Sequence, residues 1–363
     1  MSFAYGGCYT PNGGGIQSFD VDPDGGLTPR ALVADIADPS WLTIDSSGRT
    51  LYAVSEMTPA GTVSAYRIDP DNGGLTLLNR VSTEGGKPVH LSLHPAGRHL
   101  FVANYDGGSI AVLPVDAEGR LGPALDVKTD RGAVGPARPA DAPPGSFAAS
   151  GHDRPHAHYV ESDPGGRFVL HTDLGQDRIY VWRFDAATGR LSPAETPFVA
   201  TAPGGGPRHL AWHPRGHRLY ALTEESSTVS AYGFDAGALT ALQTVSALPP
   251  GFAGTSYGSD LTLSRDGRFL YAANRLHDSI AAFAVAADGT LRLIGHTPSE
   301  GSYPRTLVIH GTLLYAMNQR SDAITVFRLE AGIPRFTGQY IPTGSPAHLA
   351  FSAYSPRLRS HPT

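Results

Sequence analysis

The sequence is poor in cysteine, in charge and in long apolar runs, and each shortage excludes a class of protein. Cys8 is the one cysteine among 363 residues, so a disulfide framework is excluded and a cysteine-based metal site is not expected. No stretch approaches the ~18 consecutive apolar residues of a membrane-spanning helix. The N-terminus MSFAYGGCYT lacks the charged start and the apolar run of a signal peptide. We therefore expect a cytoplasmic protein without a membrane partner.

Charge is scarce and slightly negative. The chain has 28 Lys and Arg against 33 Asp and Glu, a formal net charge of −5. Proteins that bind nucleic acid concentrate positive charge, so we expect no nucleic-acid partner. Hydrophobic residues make up 40% of the chain, which is enough for a sizeable core, and the 43 glycines and 30 prolines indicate many short elements joined by turns.

A four-strand motif is repeated seven times. The most regular strand reads AYGGCY (4–9), LYAVSE (51–56), LFVANY (100–105), FVLHTD (168–173), LYALTE (219–224), LYAANR (270–275) and LYAMNQ (314–319). An alternating strand follows each copy, as in TVSAYRID (62–69), and a third opens with a turn and a leucine, as in GRLGPALD (119–126). A further strand precedes each pair, as in RHLAWH (208–213). The alternation and the β-branched residues favour strands, and the glycine-containing gaps favour hairpins.

These repeats predict an all-β fold, a seven-bladed β-propeller with four antiparallel strands per blade. The aligned positions 52, 101, 169, 220, 271 and 315 are 44 to 68 residues apart. The chain begins at the second strand of a blade and ends with a first strand, AHLAFS (347–352), so pairing of the two should close the ring. A sandwich or a solenoid is the alternative. We expect one domain over residues 1–352, an inserted loop at 128–154 and a tail at 353–363.

Two sets of polar positions should converge at one end of the central channel. The inner strands open with Trp41, His90, His158, His209, Asp260, Thr306 and His348. The second strands close with Tyr9, Glu56, Tyr105, Asp173, Glu224, Arg275 and Gln319. These residues differ between repeats while their flanks stay apolar, which indicates a site grafted onto a repeating scaffold. A wet channel that accepts any polar residue is the alternative.

The histidines could suggest a metal, but the sequence favours another role. His90, His158, His209 and His348 share one repeat position, and a repeated position suits hydrogen bonds between neighbouring blades. No paired spacing such as HExxH, no P-loop, no nucleophile elbow and no dinucleotide-binding fingerprint occurs. We therefore expect no metal site and no cofactor.

The segments at 155–185, 206–235, 258–285 and 303–309 resemble the lactonase family of seven-bladed β-propellers. Their motifs are PHAH followed by DLGQDR, then GPRH, AANR and YPRT, and the resemblance covers nearly the whole chain. The family includes propeller-type 6-phosphogluconolactonases and fungal carboxymuconate-lactonising enzymes. The resemblance implies a metal-independent lactone hydrolase of carbohydrate metabolism, in the pentose phosphate pathway, that acts on a small anionic lactone.

The family attributes its activity to one His, two Arg and one Glu in the channel mouth. Carried over, these catalytic residues are His158, Arg208, Glu224 and Arg275. His156 beside His158 and Glu225 beside Glu224 leave open which member of each pair faces the channel. Further expected substrate-binding residues are His156, Arg305, Asp173, Glu56 and His209.

Hydrolysis of a sugar lactone requires an anion clamp, a base for the attacking water and a stabiliser of the oxyanion. The arginines can grip a phosphate or carboxylate, and one could stabilise the oxyanion. His158 suits a general base or acid near neutral pH, and Glu224 could orient it or act as the base. Structural ion pairs, Arg208 with Glu224 and Arg275 with Asp260 or Asp278, are the alternative. For Asp173 and Asp177, the sequence TDLGQD favours capping of turns over a role in the chemistry.

Three functions follow from this site, in order of preference. The first is hydrolysis of 6-phosphogluconolactone. The second is a muconate-type lactonising or isomerising reaction on a dicarboxylate, and the third is a non-catalytic scaffold. The sequence leaves the oligomeric state open, a monomer included.

Overall fold

The computed structural model describes residues 2–146 and 151–352, and these form 28 β-strands in seven separate sheets of four antiparallel strands. This confirms the predicted seven-bladed β-propeller. Among the described residues, no helix is long and apolar enough to span a membrane. The predicted tail at 353–363 lies outside the described residues.

Each sheet is one blade, and the blades are numbered around the ring. Blade 1 contains β1 (Ser2–Cys8), β2 (Gly15–Val21), β3 (Leu27–Val33) and β28 (Pro346–Phe351). Blade 2 contains β4 (Leu42–Ile44), β5 (Thr50–Ser55), β6 (Thr62–Ile68) and β7 (Leu75–Ser82). Blade 3 contains β8 (Gly86–Leu93), β9 (His99–Asp106), β10 (Ser109–Pro114) and β11 (Asp126–Thr129).

The other four blades follow in chain order. Blade 4 contains β12 (Ala157–Ser162), β13 (Phe168–Asp173), β14 (Arg178–Asp185) and β15 (Arg190–Ala200). Blade 5 contains β16 (Pro207–Trp212), β17 (Arg218–Thr223), β18 (Thr228–Asp235) and β19 (Ala238–Ser246). Blade 6 contains β20 (Tyr257–Leu263), β21 (Phe269–Arg275), β22 (Ser279–Val285) and β23 (Leu291–Pro298). Blade 7 contains β24 (Pro304–His310), β25 (Leu313–Asn318), β26 (Ala323–Glu330) and β27 (Ile333–Pro342).

The two ends of the chain close the ring, as the sequence predicts. Strand β1 pairs with β2 on one side and with the C-terminal β28 on the other, where Ala4 lies opposite Phe351 and Gly7 opposite His348. The inner strand β28 also contacts the inner strand β4 of the next blade. The N-terminal and C-terminal strands are therefore paired with each other within one blade.

The core consists of seven hydrophobic clusters, each formed by residues of two neighbouring blades. The repeated tyrosine of the second strand contributes its ring to a cluster, and in Tyr5, Tyr52, Tyr220 and Tyr315, but not in Tyr271, its hydroxyl donates to a turn carbonyl of the next blade. Tyr220 donates to the carbonyl of Gly289 (3.0 Å) and Tyr315 to that of Gly25 (2.8 Å). Gly25 has φ +80°, and a Cβ there would lie 2.0 Å from Leu313 Cδ1, so the turn requires glycine.

The outer strand of blade 3 differs from the prediction. We expected it within GRLGPALD (119–126), but β11 spans Asp126–Thr129, and Leu121 forms only an isolated bridge with Val115. Between them, the Gly122 N–H donates to the Pro114 carbonyl (3.0 Å) and the Leu125 N–H to that of Val112 (2.8 Å), so the chain follows β10 without a regular ladder until Asp126. The first two residues of the expected insertion at 128–154 therefore belong to a strand.

Candidate active site

The candidate site lies at the end of the channel where the inner strands begin and the second strands end, which we call the mouth. Below the mouth, aromatic rings meet across the axis. The Trp41 ring lies 3.9 Å from His348, 4.3 Å from His90 and 5.3 Å from His209, between ring centroids. The first two contacts join blade 2 to its neighbours and the third crosses the channel to blade 5, so the mouth is a bowl with an aromatic floor.

A β-bulge at the start of the inner strands positions the site residues. The pairing register shifts between Ala157 and Tyr159, between Pro207 and His209, and between Pro304 and Thr306. The extra residues are His158, Arg208 and Arg305. A bulge bends its strand and re-aims a side chain, and here it directs one residue per blade toward the same place.

The register corrects the alignment of blade 4. His158 corresponds to Arg208, and Tyr159 corresponds to His90 and His209, so four histidines do not share one position. Tyr159 instead completes the aromatic floor, with ring centroids 3.9 Å from His90 and 5.2 Å from His209. The same offset makes Leu170, and not Val169, the counterpart of Tyr220.

Two floor histidines bond to neighbouring blades, as expected. His90 Nδ1 accepts the Val160 N–H at 3.3 Å, and His209 Nδ1 lies 2.7 Å from Asp260 Oδ1. Because Arg208 can only donate to His209 Nε2 (3.1 Å), the Nδ1 atom of His209 carries the proton toward Asp260. Burial lowers the pKa of His209 well below its ordinary value, so this ring is neutral at neutral pH.

Within residues 2–146 and 151–352, no three His, Cys, Asp or Glu side chains are arranged to hold a metal ion.

Glu224 lies between two arginines. Its Oε2 atom is 2.8 Å from Arg208 Nε and 2.8 Å from Arg275 Nη2. Burial raises the pKa of Glu224, but Arg275 and Arg208 outweigh it and hold the pKa below its ordinary value, so the carboxylate is ionised. Burial lowers the pKa of Arg208 to about 10, which leaves this guanidinium charged at neutral pH.

The two arginines are fixed by backbone carbonyls and rings, while Glu224 keeps access to the mouth. Arg208 Nη1 donates to the carbonyl of Ser259, and Arg275 Nη2 donates to that of Gly258 at 3.1 Å. Their side chains are 2% and 5% exposed, whereas that of Glu224 is 20% exposed. Arg275 pairs with Glu224 rather than with Asp260 or Asp278, the partners considered from the sequence. The site thus presents the ionised carboxylate of Glu224, held in place by the two guanidinium groups of Arg208 and Arg275.

Glu225 faces away from these arginines and anchors the inserted loop. Its Oε1 accepts the Gly151 N–H at 3.2 Å and lies 4.0 Å from His152 Nδ1. His152 Nε2 is 2.9 Å from Asp177 Oδ1, and Asp177 also accepts the N–H groups of Gly204 and Gly206 just before Arg208. The loop is therefore tied to the wall of the mouth.

Glu225→Gln should remove a loss of stability that sets in as pH rises above 4.5, the ordinary pKa of the glutamate side chain. Burial, and after it the charge of Glu224, raises the pKa of Glu225, so the folded protein keeps a proton that the unfolded chain releases above its ordinary pKa of 4.5. Stability then falls as pH rises, by up to about 1.4 kcal/mol per pH unit, until the folded carboxyl also ionises. Glutamine imitates the protonated carboxyl and removes this slope.

Urea unfolding at pH 6, 7 and 8 measures the effect. The exposed Glu195→Gln is the matched control and should keep the wild-type pH dependence. Parallel stability curves for Glu225→Gln and wild type would contradict the assignment of a protonated Glu225.

A second charge cluster lies on blades 7, 1 and 2. Arg305 Nη2 is 3.6 Å from Glu56 Oε2, which also accepts the Tyr9 hydroxyl at 2.6 Å. The Arg305 guanidinium lies 4.9 Å from the centroid of the Tyr9 ring. Arg305 and Glu56, both expected to bind substrate, therefore bind each other at the edge of the bowl.

The two histidines of the PHAH motif have different surroundings. His158 is 5% exposed, its ring lies 5.2 Å from His209, and its Nδ1 has no hydrogen-bond partner among the described residues. Burial, with Arg208 next in weight, lowers the pKa of His158 well below its ordinary value. His156 stacks on Tyr105 at 4.0 Å and contacts Asp153 Oδ1 at 2.7 Å. His158 is therefore the member of the pair that lies among the site residues.

Two sequence expectations require correction. Asp173, expected to bind substrate, is wholly buried, and its Oδ1 accepts the N–H groups of His156 and Gln176 at 3.0 and 2.9 Å. It occupies the position of the buried Asn104, so it caps a turn. Glu224 does not orient His158, since no hydrogen bond joins them in the part of the chain that the structure describes.

Four residues of the mouth escaped the sequence reasoning. Arg275 lies 5.5 Å from the ring centroid of Tyr257 and 5.1 Å from that of Tyr303, while Lys87 lies over Tyr105 and Arg320 over Tyr303. Lys87 precedes Pro88 near the start of β8, and Tyr303 precedes Pro304, the first residue of β24. The position directly before a proline is therefore the sequence signal from which Lys87 and Tyr303 could have been predicted as residues of the mouth.

Comparisons with known proteins identify the family of the chain. The family model described as "Lactonase, 7-bladed beta-propeller" matches residues 3–351. A 6-phosphogluconolactonase of Bacillus subtilis is 34% identical over 340 residues, 92% of this chain and 93% of that protein. A periplasmic gluconolactonase of Pseudomonas aeruginosa, PpgL, has a solved structure with TM-score 0.87 and 35% identity, covering 97% of this chain and 99% of that one. The chain is a lactone-hydrolysing enzyme and belongs to the lactonase family of seven-bladed β-propellers.

Proposed function

We propose that the protein hydrolyses 6-phosphogluconolactone, the pentose phosphate pathway lactone, without a metal ion, and that Glu224, Arg208 and Arg275 carry the reaction. The observation that carries the proposal is the ionised Glu224 carboxylate held 2.8 Å from two buried guanidinium groups at the open end of the bowl. The 34% identity to the 6-phosphogluconolactonase of Bacillus subtilis supports the choice of lactone.

In the proposed reaction, Glu224 accepts a proton from water as the water oxygen attacks the lactone carbonyl. The pairing with Arg208 and Arg275 reduces its basicity but keeps it ionised and fixed in place, and an activated ester needs only a modest base. Arg208 Nη2 makes no hydrogen bond to another described residue, which leaves it for the oxyanion. Collapse of the tetrahedral intermediate breaks the ring C–O bond and yields a carboxylate and a hydroxyl group.

His158 has the position of a hydrogen-bond donor to the leaving ring oxygen. Its ring is neutral because its pKa is depressed, and a neutral imidazole donates a hydrogen bond through its N–H group, while the proton that Glu224 takes from water passes to the leaving oxygen. The bulge that aims Arg208 aims His158 from the neighbouring blade, so the two would approach the substrate from adjacent sides. His156 and His209, packed behind these groups, would act as supports.

Hydrolysis of unphosphorylated gluconolactone is the second candidate. The structural relative PpgL is titled a gluconolactonase and is 35% identical. The arginines of the bowl also pair with carboxylates, Arg208 and Arg275 with Glu224 and Arg305 with Glu56, so these three guanidinium groups keep only one uncompensated positive charge for a phosphate. Nothing comparable favours a muconate-type reaction.

The test is the rate of acid release from 6-phosphoglucono-δ-lactone and from glucono-δ-lactone, each corrected for spontaneous hydrolysis and measured with a chelator present. We expect a large acceleration for the phosphorylated lactone that survives chelation. Acceleration of glucono-δ-lactone alone would favour the second candidate. No acceleration of either lactone would refute the proposed substrates, and loss of the rate on chelation would refute the metal-independent reaction.

A further inference from the structure

Arg320 is a cation at the rim of the mouth that is held in place without a carboxylate partner among the described residues. The Arg320 guanidinium lies 3.8 Å from the centroid of the Tyr303 ring. Arg320 is exposed, and no carboxylate of the described residues lies within 4.0 Å of it. Its backbone N–H is bound by the Ser302 carbonyl at 3.1 Å, so the turn that carries it is fixed.

Tyr303 connects this rim cation to the proposed catalytic group. The same ring has Arg275 5.1 Å from its centroid, and the Tyr303 hydroxyl lies 3.4 Å from Arg275 Nη1. Arg275 in turn contacts Glu224 at 2.8 Å. The Tyr303 ring therefore lies between two guanidinium groups. That of Arg275, inside the bowl, is paired with a carboxylate, and that of Arg320, at the rim, has no carboxylate partner among the described residues.

The backbone holds Tyr303 in an unusual conformation to achieve this. Its φ is +65°, which is rare for a bulky residue, and Pro304 follows it. The Asp278 carboxylate accepts the Tyr303 N–H at 2.7 Å, and the Tyr303 carbonyl accepts the Gln319 N–H at 3.1 Å. The corresponding residue Lys87 also has a positive φ, so this entry to the inner strand is a recurrent way to display a side chain at the mouth.

We propose that Arg320, seated on Tyr303, is the subsite for the phosphate of the substrate and so determines preference for a phosphorylated lactone. This proposal rests on the proposed function and deepens it. A sugar lactone bound with its carbonyl at Glu224 and Arg208 has its phosphate at the far end of the molecule, away from the reacting carbon. A guanidinium that lacks a carboxylate partner can bind phosphate bidentately.

Arg320→Met tests the subsite on two substrates. We expect kcat/KM for 6-phosphoglucono-δ-lactone to fall about tenfold or more, mainly through KM, because a charge-assisted hydrogen bond to phosphate is lost. The value for glucono-δ-lactone should stay within about twofold, since that substrate has no phosphate. Arg320→Lys should recover part of the loss. The control Arg265→Met removes an exposed arginine at the opposite end of the channel and should change neither value.

Calorimetric binding of 6-phosphogluconate, the product, separates this proposal from the proposed function. Weaker product binding by Arg320→Met than by wild type supports the subsite, even if the wild type hydrolyses neither lactone and the proposed function fails. The subsite is refuted if Arg320→Met affects both lactones equally, or if product binding is unchanged. It is also refuted if the wild type hydrolyses both lactones with the same kcat/KM.

Discussion

Arg208→Met should lower kcat/KM about 10³-fold, because it removes both the partner of Glu224 and the proposed oxyanion donor. Arg208 is 2% exposed, its Nε lies 2.8 Å from Glu224, and its Nη1 donates to the Ser259 carbonyl and to His209. Methionine fills a similar volume but supplies no donor. The loss should appear mainly in kcat, because the interaction with the oxyanion forms only in the transition state.

The same change affects stability, so the kinetics need a folding control. Removal of one partner of a buried ion pair typically costs about 3–5 kcal/mol, and Arg275 compensates part of the Glu224 charge that remains. Circular dichroism and thermal unfolding must therefore show that the variant is folded at the assay temperature. Arg208→Lys keeps the charge and loses the planar fork, so it should recover stability better than activity. A folded Arg208→Met with near wild-type kcat would contradict the proposed role.

The architecture can be predicted from the sequence because each blade has the same requirements for core packing and for turns. The tyrosine of the second strand recurs since its ring fills an interblade cluster and its hydroxyl binds a turn carbonyl of the next blade, as Tyr220 does with Gly289. The complementary chain ends predict the closing pair β1 and β28. Both features depend on alternation and turn chemistry, which a single sequence displays directly.

Blade 4 shows where this reasoning fails. Position 169 carries valine where most repeats carry an aromatic residue, so the alignment there had no anchor and slipped by one. The slip placed His158 with the floor histidines and Asp173 with Glu224. In the structure, His158 is a bulge residue, and Asp173 corresponds to the buried Asn104. A shift of one residue moves every side chain of a strand to the other face, so small alignment errors change the assigned roles completely.

The orientation of Glu224 and Glu225 could not be predicted for a related reason. Both follow the end of β17, where the alternation of a strand no longer determines the direction of a side chain. Their directions are set by partners distant in sequence: Arg275 for Glu224 and Gly151 for Glu225. The rim residues Tyr303 and Arg320 lie in turns, where the periodicity of strands gives no information.

Glu224→Gln should reduce kcat about 10³-fold and leave KM little changed, because glutamine keeps the shape of the side chain and cannot accept the proton. Glu225→Gln is the matched control. It makes the same substitution one residue away, at a carboxyl that faces the inserted loop and is already protonated, so its kcat should resemble that of wild type. Steady-state rates on the phosphorylated lactone measure both variants.

The pH dependence of kcat/KM is a second, independent test of Glu224 as the base. Burial opposes ionisation, but Arg275 and Arg208 hold the pKa of Glu224 below its ordinary value of 4.5, so the active ionised form persists as pH falls and is lost only in acid. The wild-type kcat/KM should therefore show no inflection near pH 6.5, the region where an ordinary histidine would titrate. An inflection there would assign the base to a histidine. Equal losses of kcat in Glu224→Gln and Glu225→Gln would instead show that both residues only maintain the structure of the mouth. A base role predicts unequal losses, because only Glu224 is ionised beside the arginines.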